Sequence, residues 1–218
     1  MDEALARKLR GVGPLGILAF VVIAALGPVL EPLGTVLVLA WKSASETSWR
    51  ELGFVRPVSW ARATILGIVC GAALKLVLKA LVMPLLGADP ANQTYRYLAG
   101  NSAAAATMAA YIVVASVNEE TVFRGFVFER LGKLLPPSLL GKIATVLVSS
   151  AWFAAVHYVE QGVAGVEQAV MTGLTFGTIF AITHEIWIPM VAHAAYDFVA
   201  IAMIYWNIES TIAHLVFK

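Results

Sequence analysis

Residues 103–124 read AAAATMAAYIVVASVNEETVFR. From Ala103 to Val117 no side chain is charged, and the alanines at 103–106 suit close packing between helices. The run then stops on Asn118-Glu119-Glu120. An α-helix rises about 1.5 Å per residue and a bilayer core is about 30 Å thick, so predominantly apolar runs approaching 20 residues read as membrane helices. Five more stretches share the pattern: 15–41, interrupted by Pro28, Glu31 and Pro32, then 64–86, 143–158, 169–183 and 186–206. Trp41, Trp60, Trp187 and Trp206 fall near the ends of these runs, where indole rings favour the membrane–water interface.

Composition agrees with that reading. Of 218 residues, 60% are hydrophobic and only 13% charged, and the mean hydropathy is +0.81. A soluble domain carries about 25% charged residues. The expected fold is all-α, a polytopic transmembrane bundle of about six to eight helices, some kinked or interfacial. Its length fits one integral membrane domain over 1–218 with no separate soluble module, placed in the cell membrane. Residues 42–62, rich in tryptophan and arginine, read as an interfacial loop, and Pro136-Pro137 ends the amphipathic stretch before it. Glu3, Arg7, Lys8 and Arg10 precede a first apolar run too long for a cleaved signal peptide, so a retained segment is expected. A net charge of +1 gives no reason to expect nucleic acid as a partner. Cys70 is the only cysteine, which excludes an intrachain disulfide and a cysteine-rich metal site.

Ionisable residues at membrane depth cost about 2.5–3.5 kcal/mol each, so each invites a functional question. Glu120 and Arg124 stand at i,i+4 and should pair on one helix face, leaving Glu119 turned away without a local partner. An unpaired carboxylate in a dry site suits a general base, although an acidic helix cap is the plainer reading. His157 shares a face with Phe153 one turn earlier, and taken alone it reads as a packing residue between helices. His193 and Asp197 are also one turn apart, and a carboxylate commonly orients an imidazole. Lys75 and Lys79 read as members of an interior ion pair rather than of the site. Together, three apolar helices each deliver a titratable group, enough to activate a water and stabilise an oxyanion if the bundle brings them together.

Three ordered motifs carry a resemblance: Glu119-Glu120-x-x-x-Arg124, Phe153-x-x-x-His157 and His193-x-x-x-Asp197. They are similar to those of the intramembrane proteases that include the CAAX prenyl endopeptidases and the bacteriocin-processing (Abi) proteins. The approach Gly177-Thr178-Ile179-Phe180 to Ile188-Pro189, and more weakly Leu52-Gly53-Phe54-Val55-Arg56-Pro57, resemble the family as well. The resemblance implies a protease core over 119–197 and an intramembrane endopeptidase. In it Glu119 and His157 would activate water, while His193 and Asp197 would stabilise the oxyanion or hold its geometry, with Glu120 and Arg124 in support. Asp197 stands where the prenyl-protease members have Asn, and an ionised Asp cannot donate a hydrogen bond. It is therefore expected to orient His193, with His193 as the donor. Glu119, His157 and His193 also make a conceivable His₂Glu zinc set, but the chain lacks His-Glu-x-x-His, and a metal-free glutamate mechanism is favoured with no cofactor. Expected partners are membrane lipid and a peptide or protein substrate, lipidated in one branch of the family. Two rivals stay open: a non-catalytic immunity or scaffold protein of the same fold, and a small transporter using Glu119, Lys75 and His193 as a relay. Paired halves, common in transporters, are not visible in the sequence.

Overall fold

The computed structural model describes residues 3–217, and every regular element among them is helical. Helix α1 (Glu3–Arg10) is short and amphipathic, with Glu3 in its first turn and Arg7, Lys8 and Arg10 in its last, the order the helix dipole favours. Arg130 reaches the carbonyls at the end of this helix, donating to Leu9 O at 3.3 Å, Arg10 O at 2.6 Å and Gly11 O at 3.2 Å.

The run 15–41, expected to be kinked or broken near Pro28 and Pro32, is broken there into helices α2 (Pro14–Leu26) and α3 (Leu33–Ala44). They have 13 and 12 residues, so each is only about 20 Å long, short of the bilayer core. Pro28 and Pro32 interrupt the helix between them, and the chain folds back as a hairpin. Glycine allows the backbones to touch at its tip: a Cβ on Gly34 would lie 2.4 Å from Gly27 O. At the open end the Trp41 indole donates to Leu9 O at 3.3 Å.

Helix α4 (Trp60–Leu85) starts at Ser59, whose hydroxyl accepts from the Arg62 N–H at 3.3 Å, and it passes through a π turn at Leu78–Val82. Ile65, Leu66, Ile68, Val69, Leu76 and Val77 point outward from it, an apolar surface that suits lipid. Its opposite side carries Gly67 and Gly71, which seat it on the helix of His193. A Cβ at Gly71 would lie 2.0 Å from Ala192 O, and one at Gly67 would lie 2.7 Å from Val191 Cβ. Close backbone approach of this kind is how membrane helices gain packing without a hydrophobic driving force.

Helix α5 (Ser102–Glu120) is capped by Asn101, which accepts from the Ala104 N–H at 3.1 Å. It continues through a π-helical turn (Thr121–Val127) into α6 (Phe128–Leu134), which stops just before Pro136. The 45-residue stretch Leu139–Thr183 is not one rod, because Gly162 at φ 61°, ψ −155° breaks it. Its arms, α7 (139–161) and α8 (163–183), fold against each other, so that a Cβ on Gly173 would meet Ser150 Cβ at 3.1 Å. These arms are the expected spans 143–158 and 169–183. Helices α9 (Trp187–Tyr205) and α10 (Glu209–Ala213) complete the chain. Among the described residues, Trp60–Leu85, Leu139–Thr183 and Trp187–Tyr205 are long and apolar enough to cross a membrane. The loop between α3 and α4 docks on the start of α9: Ile186 N–H donates to Gly53 O at 3.0 Å and the Trp187 indole to Val55 O at 2.8 Å.

Candidate active site

A cavity of about 620 Å³ opens between the helices, and Glu119, His157, His193 and Asp197 all line it, together with Glu31 and Lys75. Glu119 arrives at the last turn of α5, His157 from α7, and His193 and Asp197 from α9. Glu119 Oε2 lies 3.9 Å from His157 Nε2 and 3.8 Å from His193 Nε2. These separations are too long for direct hydrogen bonds. A water touching all three would fit them, and Glu119 Oε2 is buried without a donor among the described residues.

The ring nitrogens are differentiated by their other partners. His157 Nδ1 is 2.7 Å from Phe153 O, the carbonyl one turn earlier, so Nδ1 carries the proton and donates. Its Nε2 is left as an acceptor facing Glu119. His193 Nδ1 lies 2.8 Å from Glu120 Oε1, which turns its Nε2 toward Glu119 and Asp197. Asp197 Oδ2 is 3.5 Å from that nitrogen. The orienting bond to His193, expected from Asp197, is therefore made by Glu120. The reason is positional: Glu120 faces the bundle interior at 0% exposure, whereas the Asp197 side chain is 32% exposed and looks into the cavity.

Glu120 is held in turn by Arg124, with Nη1 to Oε1 at 2.8 Å, and Arg124 is also fully buried. Its other Nη donates to Gly173 O at 3.3 Å, and the guanidinium sits over Phe153 and Phe176 at 4.7 and 5.7 Å. Phe153 thus explains its own spacing from His157. Its ring stands 4.6 Å from His157 and 5.9 Å from His193, filling the space behind both. The π-helical turn begins at Thr121, directly after the two carboxylates, and such turns concentrate at functional sites.

Lys75 departs from expectation. No carboxylate lies within salt-bridge distance of it among the described residues. Instead its ammonium donates to Gln168 Oε1 at 2.7 Å over the Tyr196 ring, and the Tyr196 hydroxyl donates to the same oxygen at 3.0 Å. Lys79 makes the ion pair, with Glu209 at 3.3 Å. Three contributors escaped the sequence reading. Gln168 carries no charge to draw notice. Asn118 looked like the polar end of an apolar run, yet its amide accepts from Thr35 N–H at 2.7 Å and donates to Gly27 O at 3.0 Å. Glu31 interrupts the first apolar run in sequence but lines the cavity in the fold, and the cost of burying a carboxylate applies to it as it does to Glu119.

A zinc ion fits this geometry poorly. Ligands on tetrahedral arms of about 2.0–2.1 Å lie about 3.3 Å apart, whereas the two measured carboxylate–imidazole separations are 3.8 and 3.9 Å. Among the described residues no group of three His, Cys, Asp or Glu side chains is spaced to hold a metal ion.

With that arrangement in view, residues 101–199 match the family model described as type II CAAX prenyl endopeptidase Rce1-like. This segment, 99 of the 218 residues, is similar to the CAAX prenyl endopeptidases. The matched segment runs from the start of α5 through the site-bearing part of α9, so it contains Glu119, His157, His193 and Asp197. The α2–α3 hairpin and α4, with Glu31 and Lys75, lie outside it. No curated protein and no solved structure matches the chain significantly. The Rce1-like match and the long apolar helices together make this an integral membrane protein.

Proposed function

We propose that the chain is a multi-pass endopeptidase of the cell membrane, with residues 119–197 as its catalytic core. Its substrate is a peptide or protein that reaches the site from the bilayer, lipidated in one branch of the family that the motifs resemble. The observation that carries this reading is the placement of Glu119 Oε2 at 3.9 and 3.8 Å from two imidazole Nε2 atoms. A water there donates one proton toward Glu119 and the other toward His157 Nε2, which its bond to Phe153 O leaves free to accept. Its oxygen attacks the scissile carbonyl carbon while Glu119 takes a proton. The tetrahedral oxyanion forms beside His193 Nε2. Because His193 Nδ1 bonds to Glu120, Nε2 donates to the oxyanion as an imidazolium, which Glu120 and Asp197 flank. Collapse breaks the C–N bond, and Glu119 returns its proton to the departing amine. The Arg124–Glu120 pair holds His193 in this orientation. The mechanism is metal-free and takes no cofactor.

The test uses purified full-length chain in lipid nanodiscs, with fluorogenic peptides that are unmodified or prenylated on a cysteine. Glu119→Gln, His157→Ala and His193→Ala, assayed separately, should each lower kcat by about 10²–10⁴-fold. If all three keep full function in cells, catalysis is not what the chain does, and a scaffold or immunity role on the same fold takes its place.

A further inference from the structure

Glu31 stands at the tip of the α2–α3 hairpin, between Pro28 and Pro32. It lines the same cavity as Glu119, close enough to interact with both the Tyr111 hydroxyl and the Glu119 carboxyl. Glu31 Oε2 and Glu119 Oε2 are both buried and make no hydrogen bond to an N–H or O–H group among the described residues, while the Tyr111 hydroxyl serves the Glu31 carboxyl from the other side. Two carboxyl groups in that situation satisfy each other through one proton, the protonated partner donating to the ionised one.

The hairpin is built to present Glu31 there. Asn118, the residue before Glu119 and wholly buried, clamps the tip from both sides. Its amide donates to Gly27 O at 3.0 Å and accepts from Thr35 N–H at 2.7 Å and the Thr35 hydroxyl at 3.1 Å. Gly34 permits this contact, since a Cβ there would come within 2.8 Å of Asn118 Oδ1. The clamp seats the hairpin without using Glu31. An ionisable side chain at an apolar hairpin tip is therefore not explained by anchoring, and a leucine would pack there at lower cost.

We infer that Glu31 is a positioning residue for Glu119: the two carboxyl groups share one proton, and this bond holds the Glu119 carboxyl in place with its Oε2 toward His157 and His193. The re-entrant hairpin is then part of the active site, although it lies outside the segment similar to the CAAX proteases. This inference rests on the protease reading for its kinetic consequence, but not for the pairing itself.

Glu31→Gln keeps a hydrogen-bonding group that can donate or accept at the same length, whereas Glu31→Leu and Glu31→Ala remove it. In full-length chain in nanodiscs, Glu31→Gln should retain most of the wild-type kcat. Glu31→Leu and Glu31→Ala should lose about a hundredfold in kcat, the scale of a misplaced catalytic group, with KM changed by no more than about twofold. Melting temperatures should run the other way, with Glu31→Leu at least as stable as Glu31→Gln. A role in anchoring the hairpin would reverse that order. Infrared spectra at neutral pH supply a readout independent of turnover: the band of a hydrogen-bonded, protonated carboxyl should vanish in Glu31→Leu and equally in Glu119→Gln. A folded Glu31→Leu or Glu31→Ala chain with wild-type kcat overturns the inference while leaving the protease reading intact. A Glu31→Gln chain as slow as Glu31→Leu, or a carboxyl band unmoved by either substitution, overturns it as well. Wild-type chain that hydrolyses none of the peptides defeats the protease reading alone, and the infrared band then decides the pairing.

Discussion

Arg124→Ala removes the cation on which the arrangement of the site depends. Arg124 and Glu120 are 1% and 0% exposed, and they meet at 2.8 Å in the interior of the bundle. Truncation leaves the Glu120 carboxylate buried beside only His193, its other bonded partner at 2.8 Å. Removing one member of a buried ion pair costs about 3–5 kcal/mol, because the stranded charge loses its partner and has no water to replace it. The bond to Gly173 O at 3.3 Å and the stacking on Phe153 are lost too, at about 1 kcal/mol each. Against a total stability of about 5–15 kcal/mol, the variant should be only marginally folded. The double variant Arg124→Ala/Glu120→Gln strands no charge, so it should be more stable than additivity of the single variants predicts, by about 2–3 kcal/mol. Equilibrium unfolding of the purified chain in mixed micelles with increasing SDS, followed by tryptophan fluorescence, measures all three. A single variant within about 1 kcal/mol of wild type, or strictly additive losses, would refute the claim that this pair is structural.

Four further outcomes are expected. Gly71→Ala drives a methyl into Ala192 O, which a Cβ would approach to 2.0 Å; it should cost about 1–3 kcal/mol and displace the neighbouring His193, seen as losses in both unfolding midpoint and kcat. Asn118→Ala strands Gly27 O and Thr35 N–H at the hairpin tip, at about 1–3 kcal/mol for each group left buried and unpaired, and the same unfolding experiment reads it. Partial burial alone would raise the Glu51 carboxyl, but the Ser48 backbone N–H, the Arg10 guanidinium and the Ser48 hydroxyl outweigh it and hold the group at about 2 instead of the usual 4.5. Its contribution is therefore complete above pH 4.5 and is lost as pH falls from 4.5 through 2; the stability advantage of wild type over Glu51→Gln, followed by tryptophan fluorescence, should be constant above pH 4.5 and shrink through that window, and a difference that does not change with pH would refute it. Chelation followed by elemental analysis should leave hydrolysis unchanged with no stoichiometric zinc; loss of zinc and activity together would replace the metal-free mechanism.

The titratable residues that line the cavity are legible in the sequence because burying charge in lipid is expensive wherever it occurs. That single cost picks out Glu119, His157, His193 and Asp197 against an apolar background, and helical spacing pairs Glu120 with Arg124 before any coordinates exist. The same argument applied to Glu31 would have found it too. Pro28 and Pro32 nearby mask that signal, because a charged residue between two helix breakers also fits a turn. Asn118 and Gln168 gave no comparable signal, since an uncharged amide is ambiguous until its partners are known.

The sequence by itself determined that the chain is helical and membrane-embedded, because hydropathy and helical periodicity are local properties that each segment carries alone. It could not decide which carboxylate orients His193. Spacing along one helix favours Asp197, but Glu120 arrives from a different helix and makes the bond at 2.8 Å. Nor could it tell a kinked crossing from a folded hairpin at 15–41, because that choice rests on Gly27 meeting Gly34 and on Asn118 reaching across from α5. Contacts between residues far apart in the chain exist only once the helices are packed, so the tertiary structure alone fixes which polar groups share a cavity.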